Sequence, residues 1–257
     1  MLVDSHCHLD EFQNDEIADI LIRAREVKVD LVVTVGTTLE NSFRAVELST
    51  VFPSVWAGIG IHPMEVDKEF DQATYKTFSD LIDSTDKVIA VSEIGLDFMD
   101  TSPDRLLQYQ VFREQIRFAR ERRLPIIFHS RESCPETLKV LREEHAYDVG
   151  GIMHYFQCDE SIAWEAIDLG FYISLAKPFL RSEELQSVIK TIPLENIVLE
   201  TDSAPQPFKD NRQKWTEPRH VYDIANKLSE IKNIPFAQVE EVTTKNFFDI
   251  IHRPFNL

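Results

Sequence analysis

Eight short runs rich in valine and isoleucine, each followed by a helix-like stretch, restrict this chain to few folds. The runs cover residues 2–6, 31–35, 55–61, 88–94, 125–129, 151–155, 171–175 and 197–201. Several carry almost no polar interruption, as strands buried on both faces must. Amphipathic segments lie between them at 15–28, 39–52, 71–84, 105–123, 135–145, 160–169 and 183–192, and two more follow at 218–231 and 236–251. Asp15, Asp104, and Asp159 or Ser182 stand where helix N-caps belong, and Gly170 and Asn233 where helices end.

Strand–helix alternation at this spacing predicts parallel βαβ units. An open doubly wound sheet is the rival architecture, and it often carries a glycine-rich phosphate turn after its first strand. Here the first strand runs into His6-Cys7-His8, and the whole chain has seven glycines. Eight strands in one series favour closure into a single-domain α/β (β/α)8 TIM barrel over residues 1–257, a length that suits such a barrel. Residues 203–218, with three prolines, read as a long functional loop rather than a domain boundary.

Composition narrows the partners. The chain carries 27 Lys+Arg against 44 Asp+Glu, a formal net charge of −17, which argues against binding a polyanion over a broad surface. Cys7, Cys134 and Cys158 cannot all pair and match no zinc-ribbon or disulfide framework, so reduced thiols in a cytoplasmic protein are expected. No secretory signal is visible at the N-terminus, and no apolar run is long enough to span a membrane. No obligate protein partner is evident.

Functional residues of a parallel barrel gather at the C-terminal ends of its strands. Five of the eight histidines, His6, His8, His62, His129 and His154, fall at or just beyond such ends, with Glu93 at the fourth and Asp202 at the eighth. In an extended segment residues i and i+2 point the same way, so His6 and His8 can reach one ion while Cys7 faces elsewhere. With Glu93, His129, His154 and Asp202 they offer four nitrogen and two carboxylate ligands. These suffice for two ions if one carboxylate bridges, and suit zinc, manganese, nickel or iron. His145 and His252 read as surface residues, His220 stays unassigned, and Cys158 reads as a structural cysteine at a helix start.

These residues lie in ordered motifs: Asp4-Ser-His-Cys-His8, Gly58-Ile-Gly-Ile-His-Pro63, Glu93-Ile-Gly-Leu-Asp-Phe98, Gln110…Phe112…Gln115, Pro125-Ile-Ile-Phe-His-Ser-Arg131, His154 with Phe156, and Glu200-Thr-Asp-Ser203. On them the chain resembles, nearly end to end, the TatD family of metal-dependent deoxyribonucleases within the amidohydrolase-like barrels. The resemblance implies a hydrolase with two divalent ions (Mg2+, Mn2+ or Zn2+) acting from the 3′ end of DNA. His6, His8, Glu93 and Asp202 would hold one ion, and Glu93, His129 and His154 the other, with Glu93 as bridge and Asp202 orienting a water and accepting its proton. His62, Arg131 and Lys177 are the candidate substrate contacts.

The chain departs from the family at the pocket walls. Tyr155-Phe156-Gln157-Cys158 stands where relatives have Cys-Phe-Ser-Gly, and cysteine adopts positive φ less readily than glycine. Ala176-Lys177-Pro178 replaces a glycine after strand seven, and Pro205 comes one place late. These changes leave open another ester or amide substrate, such as a D-aminoacyl-tRNA ester, a lactone or a small amide. A non-catalytic metal-binding barrel is a third reading. Charge is uneven too. Residues 65–86 hold seven acids against Lys68 and Lys76, while Lys209, Arg212, Lys214 and Arg219 make the loop 203–219 basic. With Arg131, Lys177 and Arg181 these cations could grip phosphates, and Phe208 or Trp215 could stack on a base.

Overall fold

A computed structural model describes residues 1–252; the last five residues of the expected domain, 253–257, lie outside the described residues. Each apolar run forms a strand: β1 (Leu2–Cys7), β2 (Val29–Val35), β3 (Val55–Ile59), β4 (Val88–Asp97), β5 (Ile126–Arg131), β6 (Gly151–Met153), β7 (Phe171–Leu175) and β8 (Ile197–Leu199). The helices between them are α1 (Asn14–Glu26), α2 (Leu39–Val51), α3 (Gln72–Ser84), α4 (Arg105–Arg122), α5 (Cys134–Glu143), α6 (Glu160–Asp168) and α7 (Glu183–Thr191), followed by α8 (Val221–Lys232) and α9 (Phe236–Ile250).

The strands form one parallel sheet in chain order. Beyond β8, Asp202 N–H donates to His6 C=O (3.0 Å) and His8 N–H to Ser203 C=O (2.8 Å), which brings the last strand alongside the first and nearly closes the barrel. Ser5 Oγ lies 3.4 Å from Ser174 Oγ, joining β1 to β7 across the interior, since β8 separates those strands in the sheet. Val3, Val33, Ile89, Ile127, Ile152 and Val198 pack together inside, against Phe247 and Ile250 of α9.

Helix α4 shows how the outer layer is specified. Val111, Phe112, Gln115, Ile116 and Ala119 recur at helical spacing and are buried; each large apolar side chain so buried contributes about 1.5–3 kcal/mol. The Asp104 side chain accepts from Leu107 N–H at its start, and Arg123 closes it in the left-handed region at φ 54°. Asp159 and Ser182 cap α6 and α7 as expected. Asp15 does not cap α1. It lies within the first turn, and Gln13 holds the cap position without a side-chain bond.

Three strands stop earlier than their apolar runs do, β3 among them at Ile59. β6 ends at Met153 and β8 at Leu199, and the chain then passes through positive φ at Tyr155 (49°) and Asp202 (50°). β4 instead continues past Glu93 to Asp97. The stretch 218–231 is a 3-10 turn, Pro218–His220, leading into α8. The expectation of three reduced cysteines is corrected: Cys134 and Cys158 form a disulfide, while Cys7 is free and buried. Adjacent strands β5 and β6 bring their following loops together, a proximity that spacing of 24 residues along the chain does not reveal. Among the described residues no helix is long and apolar enough to cross a membrane.

Candidate metal centre

Glu93 organises the site. Its Oε1 lies 2.8 Å from His154 Nε2, 3.1 Å from His129 Nδ1 and 3.3 Å from His62 Nε2. Its Oε2 lies 3.3 Å from His6 Nε2 and 3.7 Å from His8 Nε2. Asp202 Oδ1 faces the second group, 3.3 Å from His8 Nε2 and 3.7 Å from His6 Nε2. One carboxylate thus presents a separate oxygen to each of two imidazole clusters. All six residues expected as ligands meet here, and His62, expected as a substrate contact, stands with Glu93 and His129.

The donor set fits divalent metal. Neither ring nitrogen of the wholly buried His6 has a hydrogen-bond partner, an arrangement that would be costly without a ligand. Burial disfavours charge on His8, yet its hydrogen bond to Asp202 and the charges of Asp202 and Glu93 push its pKa up to about 10. Burial likewise opposes the ionised form of Glu93, but the imidazoles of His154, His62 and His6 hold it well below the usual carboxylate range. Two ionised carboxylates draw protons onto neighbouring imidazoles where a cation would otherwise supply the positive charge. Nitrogen and oxygen donors without thiolate match zinc, manganese and similar ions.

The family model for TatD related DNase matches residues 3–252. The chain belongs to the TatD family. It is 36% identical over 255 residues to the uncharacterized metal-dependent hydrolase YabD of Bacillus subtilis, covering 96% of this chain and 97% of that protein. It is 33% identical over 259 residues to human deoxyribonuclease TATDN3, covering 95% and 92%. The crystal structure of the TatD homologue YJJV from Escherichia coli superposes with a TM-score of 0.89 at 25% identity, covering 98% of both chains.

Behind the candidate ligands of this TatD chain stand two buried carboxylates to which sequence reasoning assigned no role. Asp97 Oδ2 lies 2.9 Å from His129 Nε2 and accepts from Arg131 Nε at 2.7 Å, while Ser102 Oγ and Met99 N–H donate to its Oδ1. Glu200 Oε1 lies 3.3 Å from His154 Nδ1 and accepts from Tyr155 N–H at 2.7 Å; Ser174 Oγ donates to its Oε2 at 2.6 Å. Such carboxylate–imidazole pairs fix ring orientation and raise ligand basicity. The signal was an acid inside a buried run, four residues after Glu93 and two before Asp202. Gly95 permits the close approach of β4 to β5 here: it has φ 150°, and a Cβ would sit 2.0 Å from His129 C=O.

The centre opens into a pocket of about 560 Å³ lined on its rim by Glu11, Glu65, Arg131, Glu132, Tyr155 and Gln157. The Cys134–Cys158 disulfide forms part of its wall. Tyr155, and not Cys158, takes the left-handed backbone in this segment. Lys177 does not line the pocket; its ammonium donates to Thr216 Oγ1 at 3.1 Å.

Much of the expected phosphate-gripping loop is otherwise engaged. Arg212 pairs with Glu16 (2.6 Å) and Glu217 (2.9 Å) and stacks on Trp215, and Arg219 lies 3.3 Å from Glu217. Arg23 of α1 donates twice to Glu217, both at 2.9 Å. Burial alone would raise the Glu217 pKa, but Arg23, Arg219 and Arg212 hold it below the ordinary value. Glu217→Gln is expected to cost about 1–3 kcal/mol at pH 7, since the guanidiniums lose their charged acceptor. The sign with pH follows from the depressed native pKa. The carboxylate's contribution is complete above its unfolded value of about 4.3 and is lost as pH falls through the lower native value. Thermal melts should therefore separate the two proteins at pH 7 and converge in acid; coincident melts at pH 7 would refute the clamp. His220 serves this loop as well, its Nδ1 accepting from Glu217 N–H at 3.0 Å, while His145 and His252 are exposed as expected.

Proposed function

We propose that this chain is a metal-dependent hydrolase that cleaves phosphodiester bonds from the 3′ end of DNA, releasing mononucleotides. The observation that carries the reading is Glu93, with one oxygen toward His6 and His8 and the other toward His129 and His154. His6, His8, Glu93 and Asp202 would hold one ion, and Glu93, His129 and His154 the other. Two divalent ions in such a site supply an activated water and neutralise charge on the attacked phosphoryl group.

The protein's own groups perform the rest. Asp97 and Glu200 keep the His129 and His154 rings in place. Asp202, ionised and open to the pocket, orients the attacking water and takes its proton. Arg131, tethered at Nε and exposed at the rim, holds a non-bridging phosphate oxygen. The similarity to human TATDN3, named a deoxyribonuclease, supports DNA as the substrate.

Chelator-treated protein should lose at least about 100-fold of its activity on a single-stranded oligonucleotide and regain it with Mn2+, Mg2+ or Zn2+. Mononucleotides should appear from the 3′ end first. The same preparation is assayed beside an aminoacyl ester, a lactone and a small amide. Metal-restored hydrolysis confined to the carbonyl substrates would replace this reading with the second one.

A further inference from the structure

The two sides of the barrel mouth differ in charge. Besides Glu93 and Asp202, three carboxylates line the pocket, Glu11 from the turn after β1, Glu65 from the turn after β3 and Glu132 from the loop after β5. All three are exposed, and none belongs to an ion pair among the described residues. Among the described residues Arg131 is the one lysine or arginine lining this pocket, and its side chain is already bound to Asp97 at 2.7 Å.

Cations gather instead beside the pocket, on the loops after β7 and β8. Lys177 is tied to Thr216, and Lys209 donates to Lys214 C=O at 3.2 Å. Burial, followed by the charges of Lys209 and Arg181, lowers the Lys177 pKa, as expected for three cations held near one another. Next to them Phe208 is 78% exposed, with the Lys209 ammonium 5.9 Å from its ring centre. Exposed aromatic and cationic groups together suit the bases and phosphates of a single strand.

A strand following these charges crosses the β7–β8 side and ends in the pocket. Its upstream phosphates then meet lysine and arginine, while anything beyond the scissile phosphate meets three carboxylates. We infer that Glu11, Glu65 and Glu132 are specificity-determining residues that exclude a second phosphate on the 3′ side of the cleaved bond. The pocket thus takes one terminal nucleotide with a free 3′-hydroxyl and rejects 3′-phosphate ends and continuous strands. Repulsion of an unwanted anion discriminates without strengthening contacts to the accepted one. The inference rests on the phosphodiesterase reading above and adds an end preference to it.

The test uses metal-loaded full-length protein and 5′-labelled oligonucleotides of one sequence ending in 3′-hydroxyl or 3′-phosphate, with a circular single strand as a third substrate. At low salt the hydroxyl end should be cut at least 10-fold faster than the phosphate end, and the circle left intact. The ratio should fall toward unity as salt screens the exposed carboxylates. In the triple variant Glu11→Gln, Glu65→Gln, Glu132→Gln, it should narrow to within threefold. Each ratio is taken within one protein, so a general change in activity cancels. Equal cutting of both ends by the wild type, or a ratio unchanged in the variant, would overturn the inference while leaving 3′-end hydrolysis standing. No cleavage of any oligonucleotide by protein that hydrolyses a carbonyl ester would overturn both.

Discussion

Replacing Asp202 with asparagine is expected to lower kcat about 1,000-fold while leaving most of the bound metal in place. The size follows from losing a positioned proton acceptor, worth typically about 100- to 10,000-fold. Asparagine keeps a carbonyl oxygen where Asp202 Oδ1 now faces His6 and His8 at 3.7 and 3.3 Å, so a metal contact remains available. What it cannot do is accept a proton at neutral pH.

The backbone makes this substitution unusually clean. Asp202 has φ 50°, a conformation asparagine adopts about as readily as aspartate and alanine does not. Asp202 N–H to His6 C=O, one of the two bonds that bring β8 against β1, is therefore preserved. Elemental analysis and steady-state kinetics on the same sample separate the two roles. A kcat within threefold of wild type at full metal occupancy would remove Asp202 as the proton acceptor. Loss of metal in step with kcat would make it a ligand and nothing more.

The candidate ligand set was legible because barrel geometry converts position along the chain into position in space. Once eight buried runs are recognised, the residue ending each run faces a common mouth, and His6, Glu93, His129, His154 and Asp202 stand out as polar groups there. Partnerships across the barrel wall were not legible. Asp97 supports His129 and Glu200 supports His154 from other strands, and nothing in the spacing distinguishes a supporting carboxylate from a ligating one. The Cys134–Cys158 bond was hidden in the same way by loops that meet only because β5 and β6 pair. The basic loop misled for the opposite reason. Its charge count was correct, but Arg212 reaches back to Glu16, 196 residues away, and is used in holding the loop to α1. Local charge reports the cations present and not the ones already paired.

Glu93→Gln is expected to reduce the metal-to-protein ratio by at least one and to lower activity about 1,000-fold or more, a larger change than any rim substitution can produce. An amide offers one oxygen where the carboxylate offers two, so it cannot serve the His6–His8 group and the His129–His154 group together. The fold should survive in the metal-free protein. Glu93 is buried among imidazoles, which, unlike the guanidiniums around Glu217, can release their protons when the carboxylate is lost, so no unpaired charge has to stay buried.

The contrast should therefore appear on adding metal. At a concentration 100 times its dissociation constant, an ion that binds only the folded state stabilises by about 2.7 kcal/mol. For a chain of this length that raises Tm by roughly 5–10 °C. Wild type should show this rise and Glu93→Gln little of it, with metal-free Tm values close together. A full metal-induced rise in the variant, at unchanged stoichiometry, would show that the two imidazole clusters do not depend on a shared carboxylate. A Tm already lowered by many degrees in the metal-free variant would instead make Glu93 a structural ion-pair partner, and the bridging role would fail.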